Sequence, residues 1–294
     1  MSIADKIRNI YMAKKNIKDA LIEFGSDITD DTVLADYPDK INESRINTNI
    51  MGDIEIEFAK YYYKRHLRNK AFINSTLNTI DLSDVNIFSE DGSTDLSQYF
   101  FNSKAEEITL PANQVAGGSM ASMFEGCSNL KQINNINTLT IGFGGISSLR
   151  RCFANCTSLE SLDLSSWNIS YCNSPEQMFA NCTNLKYLNL ANFSTYGFSH
   201  HDDLIWIGDR DVVRNHDMFA NCRNIQELDL SQITDPKTVQ YLVASLYYNG
   251  VRLNPTPYTG PCTIRYSSKL DTGYGSIMRD VMNSYYCYGF VKVY

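Results

Sequence analysis

The sequence predicts an α/β fold of stacked repeats, with a small helical segment before the stack and an α/β cap after it. Three observations predict it. One phrase occurs three times: Phe153-Ala-Asn-Cys156-Thr-Ser-Leu159-Glu-Ser-Leu162-Asp-Leu164-Ser165, then Phe179-Ala-Asn-Cys182-Thr-Asn-Leu185-Lys-Tyr-Leu188-Asn-Leu190, then Phe219-Ala-Asn-Cys222-Arg-Asn-Ile225-Gln-Glu-Leu228-Asp-Leu230-Ser231. A fainter copy, Phe124-Glu-Gly-Cys127-Ser-Asn-Leu130-Lys-Gln-Ile133, precedes them. Two shorter matches, Ile80-Asp-Leu82 and Ile108-Thr-Leu110, carry the end of the phrase further upstream. Aligned on Ile80, Ile108, Ile133, Leu162, Leu188 and Leu228, the intervals are 28, 25, 29, 26 and 40 residues. That is the period of a solenoid, with one long insertion.

The first 52 residues read as a helical segment with a linker. Ile3, Ile7, Ile10, Ile17 and Leu21 make one apolar stripe on a helix that Ser2 opens and Gly25 stops. Lys6, Lys14, Lys15 and Lys18 lie on its other face. A stripe this long on so small a segment needs a partner, either its own short companion (Val33, Leu34, Tyr37, Ile41) or another chain. The stretch 42–52 is polar and Asn-rich, a linker. Residues 53–235 are the predicted solenoid. It begins with an alternating strand, Ile54, Ile56 and Phe58, and the aromatic, basic run Tyr61 to His66. That run has the makings of a base-stacking platform, but the chain carries a net charge of −7, which opposes phosphate binding.

Within each repeat, Leu-x-x-Leu-x-Leu reads as a short strand with apolar residues inward. The preceding Phe-x-x-Cys-x-x-Leu is spaced by threes and predicts a helical or 3₁₀ turn on the opposite side. One unit cannot bury its apolar face alone; stacking makes a continuous ladder of Phe, Cys and Leu. The outward positions Asp163, Asn189 and Asp229, with Tyr187 beside them, form a polar stripe that is either a binding face or merely solvated. The 40-residue interval holds an insertion at 194–217, with His200, His201, Asp202, Asp203 and Trp206. Metal site, recognition loop and simple surface turn are its three readings, and no zinc or EF-hand spacing is present. In the cap, 236–294, Pro236 opens a helix with Val239, Leu242, Val243 and Leu246 buried, and Thr263–Tyr266 is a strand. A second helix from about Tyr274 to Tyr285 and a last strand, Gly289 to Tyr294, close the stack.

Of the 8 cysteines, four (Cys127, Cys156, Cys182 and Cys222) share one repeat position, which predicts a ladder of inert buried thiols rather than disulfides. The start lacks a signal-peptide pattern, and no stretch has the apolar length of a membrane span. Gly142-Phe-Gly144-Gly145 lacks the Lys of a phosphate loop, Gly273-Tyr-Gly275 lacks the nucleophile-elbow spacing, and no Cys has a His partner. The expectation is therefore no enzyme, no metal, no cofactor, no nucleic acid and no membrane insertion.

Met123-Phe124, Met178-Phe179 and Met218-Phe219, the Phe-x-x-Cys-x-x-Leu-x-x-Leu-Asp-Leu-Ser frame and Trp167-Asn-Ile-Ser170 together resemble the BspA-type leucine-rich repeat of bacterial surface proteins. The resemblance runs over roughly residues 72–231. It implies a leucine-rich-repeat solenoid in a family of adhesins, host-interaction proteins and phage virion proteins, without specifying a ligand. The uneven period and the absence of an export signal depart from the adhesins. The N-terminal run from Ile3 through Leu21, with Tyr37-Pro-Asp-Lys-Ile41 after it, is similar to leader segments on bacteriophage tail and appendage proteins. Together these resemblances imply a structural protein of a virion tail, baseplate or appendage, made in the host cytoplasm. Its N-terminal helix would hold it to other virion proteins in an oligomeric assembly. The repeat face would meet host-surface glycan or protein. A BspA-like adhesin and a decorating protein with no receptor role are the alternatives.

Overall fold

Each repeat contributes one very short strand, and the strands lie parallel and in register. In chain order they are β1 (Thr79–Asp81), β2 (Glu107–Thr109), β4 (Gln132–Asn134), β6 (Ser161–Asp163), β7 (Tyr187–Asn189) and β8 (Glu227–Leu230). Their central residues pair Ile80 with Ile108 and Ile108 with Ile133, then Leu162 with Leu188 and Leu188 with Leu228. Each of these sits at the middle of the predicted Leu-x-x-Leu-x-Leu unit. The fold is mixed α/β, with parallel sheets and few helices. The computed structural model describes residues 72–83, 87, 94–169, 172, 175–193, 216–248, 262–271, 275–284 and 289–294. The predicted N-terminal helix, the strand at 54–58 and the insertion with His200, His201 and Trp206 lie outside the described residues.

Opposite the strands, the spacing by threes comes from tight turns. Cys152 N–H donates to Leu149 O, Ala154 to Arg151, Cys156 to Phe153 and Leu159 to Cys156, at 3.0–3.3 Å. Two of these turns, Leu149–Cys152 and Phe153–Cys156, have positive φ at their third residue, a geometry that Asn tolerates. Arg151 and Asn155 sit at φ 56° and 62°, and Gln177, Asn181 and Asn221 repeat the pattern at 56°, 62° and 61°. Among the described repeats, only the last carries a 3₁₀ helix here, His216–Phe219. The Asn of Phe-Ala-Asn-Cys is therefore a conformational requirement. It also links repeats, since Asn181 Nδ2 donates to Asn155 Oδ1 at 2.8 Å and Asn221 Nδ2 to Asn181 Oδ1 at 2.7 Å. Asn181→Ala is expected to cost about 2 kcal/mol in urea unfolding, from the left-handed backbone and the broken amide chain. Asn181→Gly should recover the backbone share; equal losses for both variants would contradict this account.

The turns form a second ladder between repeats. Phe100, Phe124, Phe153 and Phe179 N–H groups donate to Met123, Cys152, Met178 and Met218 carbonyls at 2.8–2.9 Å. Inside it, six rings stack: Phe72, Phe100, Phe124, Phe153, Phe179 and Phe219, with successive centroids 5.1–5.7 Å apart and planes within 14°. All six are buried. Phe72 and Phe100 open two copies that the phrase conceals, Phe72-Ile-Asn74-Ser75 and Phe100-Phe-Asn102-Ser103, where Ser stands in the Cys position.

The strand row divides where the turn side does not. β1, β2 and β4 form one sheet; β6, β7 and β8 continue through β9 (Thr263–Ser267) to β10 (Gly289–Val293) in another. Between β4 and β6 the chain instead builds β5 (Thr140–Ser148), which pairs in parallel with β3 (Val115–Ser119). These Gly-rich strands were not expected. Glycine dilutes the period-two pattern, and the pairing is bulged, with Gly118 and Gly145 at positive φ.

After β8, helix α1 (Pro236–Tyr248) starts as expected. Asp235 caps it, accepting from Thr238 N–H at 2.9 Å, and Pro236 takes the first helical position. Val239, Leu242, Val243 and Leu246 are fully buried. With α2 (Gly275–Ser284), the segment adds β9 and β10 to the sheet. Among the described strands, β10 lies at the end of this sheet, and there Val291 is 43% and Tyr294 is 96% exposed.

Candidate binding face

The outward residues of β6 to β9 form two rows. Register puts Asp163, Asn189, Asp229 and Arg265 in one, and Ser161, Tyr187, Glu227 and Thr263 in the other. Neighbours along a row are about 4.8 Å apart, the strand spacing. A shallow depression of about 210 Å³ opens between them, lined by Ser161, Asp163, Tyr187, Asn189, Glu227 and Asp229. Four residues expected from the sequence thus come together: Asp163, Tyr187, Asn189 and Asp229.

The row of Asp and Asn has a structural task as well. Asp163 Oδ1 accepts from Ser165 N–H at 2.9 Å, Asn189 Oδ1 from Ala191 N–H at 3.0 Å, and Asp229 Oδ1 from Ser231 N–H at 2.8 Å. Asp81 does the same for Ser83. These Asx turns end the strands and explain the Asp of Leu-Asp-Leu-Ser. One oxygen of each side chain is held by its turn, and all three residues line the depression. Tyr187 stands half exposed, its O–H donating to Gln226 Oε1 at 3.3 Å.

Most charges around the face are paired across repeats. Lys186 meets Glu160 at 2.9 Å, and the other sheet has the matching pair of Lys131 and Glu106 at 2.8 Å. Arg265 meets Glu227 at 2.5 Å, and that hydrogen bond and charge hold its guanidinium more firmly protonated. Arg265 belongs to the face although the sequence reading did not include it. The alternation in Thr263-Ile-Arg-Tyr266 was the available signal, hidden because this strand lacks the Phe-Ala-Asn-Cys lead. On the turn side, Glu125, Arg151, Gln177 and Asp217 join four repeats through side-chain contacts.

The thiols face away from the polar rows. The seven described cysteines are buried, and none of them forms a disulfide. In the three clear copies and the fainter one, the Sγ–H donates to the Phe carbonyl of the repeat before: Cys127 to Phe100 at 3.0 Å, Cys156 to Phe124 at 3.1 Å, Cys182 to Phe153 at 3.0 Å and Cys222 to Phe179 at 2.8 Å. Burial pushes the Cys127 thiol up to about 12, against smaller opposing effects of the Ser103 backbone and Lys104. Burial likewise raises Cys152, Cys156 and Cys222 well above the ordinary thiol range. They are poor nucleophiles in the folded state. Among the described residues no cluster of three or more His, Cys, Asp or Glu is placed to hold a metal, and no helix is long and apolar enough to cross a membrane.

The fold and face define a mixed α/β repeat protein with a polar strand surface. Over residues 94–205, less than half of the chain, it is similar to a family described as "Mycoplasma protein of unknown function, DUF285". No curated protein and no solved structure matches the chain.

Proposed function

We propose that the stacked repeats are a leucine-rich-repeat solenoid of the BspA type, and that the chain is a non-catalytic component of a bacteriophage tail, baseplate or appendage. The N-terminal segment, with Ile3, Ile7, Ile10, Ile17 and Leu21, serves as its attachment to other virion proteins. The strand face serves as its outward binding surface. The observation that carries the binding half is the depression at Asp163, Tyr187, Asn189 and Asp229, where a half-exposed aromatic ring lies among fixed polar groups. The likeness of residues 3–41 to phage leader segments supports the attachment half.

Two measurements test this. Virions carrying a chain cut before Ile54 should lack the protein by mass spectrometry; normal incorporation would sink the attachment role. Virions carrying Tyr187→Ala should incorporate it fully and adsorb to host cells at least tenfold more slowly. Unchanged adsorption would leave a decorating role, for which the open β10 edge with Val291 and Tyr294 would be the contact surface.

A further inference from the structure

We propose that the β6–β9 face binds a linear, uncharged glycan lying across the strands; this rests on the binding role proposed above. The argument starts from the shape of the face. Its strands are three to five residues long, so the polar stripe is only about 10–17 Å wide. Across the four strands β6 to β9 it runs roughly 14 Å. That area is well below the roughly 800 Å² that each partner of a standard protein–protein interface contributes. A narrow stripe suits an extended ligand.

A peptide could follow the stripe only across the strands. There it would find few backbone groups to pair with, because the backbone N–H and C=O groups of β7, β8 and β9 are used in the ladder to both neighbours. Recognition falls to side chains. Those present are planar carboxylates and an amide repeating at about 4.8 Å, each held by its Asx turn, with one aromatic ring beside them. Polar groups of this kind accept from and donate to ring hydroxyls, and Tyr187 offers a flat face for the C–H side of a sugar. Its O–H contact to Gln226 sets the ring's direction before any ligand arrives.

Charge selects among glycans. Asp163, Glu227 and Asp229 line the depression, and the nearest cation on the face, Arg265, is engaged with Glu227. A uronate or sialylated chain would bring like charge against these carboxylates, whereas neutral hexose and N-acetylhexosamine chains would not.

The test uses the full chain. Titration calorimetry against short neutral hexose and N-acetylhexosamine oligomers, and against polyuronates of equal length, should show binding to at least one neutral series and none to the polyuronates. Asp163→Asn keeps an Asx-turn acceptor and so should fold as the parent does, while losing at least fivefold in affinity; Tyr187→Ala should lose at least tenfold. Absence of binding to every neutral oligomer at millimolar concentration, or equal binding to polyuronates, overturns the inference. Host cells separate this from the broader reading. If Tyr187→Ala abolishes adsorption, but adsorption of the parent survives periodate treatment of the cells and is lost on protease treatment, the partner is a protein and the glycan inference alone fails. If Tyr187→Ala protein adsorbs as the parent does, the binding role itself fails.

Discussion

Phe153→Ala is expected to destabilise the protein by about 4 kcal/mol, as buried Phe truncations do, and to split its unfolding into two transitions. Phe153 stacks on Phe124 at 5.3 Å and on Phe179 at 5.7 Å, and meets the buried Trp167 at 6.3 Å. It is also the ring at the join. β4 and β6 belong to different sheets, so between those repeats the strand side supplies no ladder. The turn side supplies it instead: Phe124 N–H to Cys152 O and Gly126 N–H to Ala154 O, both 2.8 Å, and Cys156 Sγ to Phe124 O. Trp167 adds Nε1–H to Ile136 O at 3.1 Å. Removing the ring leaves a cavity against all three aromatic neighbours and weakens the packing at the junction between the two sheets. In a stack where each unit contacts only its neighbours, a weak junction lets the two halves unfold separately. Guanidinium unfolding followed by circular dichroism, with Phe219→Ala for comparison, is the check. Phe219 ends the described ring stack and is flanked by strand pairing on both sides of β8, so its loss should leave one transition. A single transition for Phe153→Ala, shifted by under 1 kcal/mol, would refute the junction role.

How much of this was legible in the sequence follows from what each residue must do. The strand centres were visible because burial at one fixed position permits only Leu or Ile, and period is countable. The first two turn copies were hidden because Ser75 and Ser103 fill the space of Cys without its name. The turn geometry was misleading: contacts spaced by threes fit a 3₁₀ turn, and only positive φ at Asn155 and Asn181 distinguishes the tight turns present. The outward rows were legible from alternation, and Asp163, Tyr187, Asn189 and Asp229 do come together. That the side chains of Asp163, Asn189 and Asp229 also close Asx turns was not, because a Leu-Asp-Leu-Ser string reads the same for a strand position as for a turn. β3 and β5 escaped because glycine carries no hydrophobic signal.

Above pH 9 the protein is expected to lose stability steeply, through its buried thiols. An ordinary thiol titrates near 9.0, whereas burial pushes Cys127 up to about 12. Below pH 9 folded and unfolded chains both keep this proton, and its contribution to stability is whole. Between pH 9 and 12 the unfolded chain releases the proton and the folded chain holds it, so stability falls by about 1.4 kcal/mol per pH unit for one such group. For Cys127 alone that is about 4 kcal/mol by pH 12. Cys152, Cys156 and Cys222 are raised for the same reason, and Tyr241 is raised by its burial, so their losses run in the same direction. The thiolate has a second reason to be refused: Sγ would face the Phe100 carbonyl oxygen at 3.0 Å with no proton between them. The urea midpoint measured from pH 7 to 11 should be flat to about pH 8.5 and then fall. Cys127→Ala costs some packing at every pH and should lessen the slope above pH 9 by about one proton, which separates the thiol from the tyrosines. A midpoint unchanged up to pH 11, or a Cys127→Ala slope equal to the parent's, would show that the ladder is not dry enough to hold its protons.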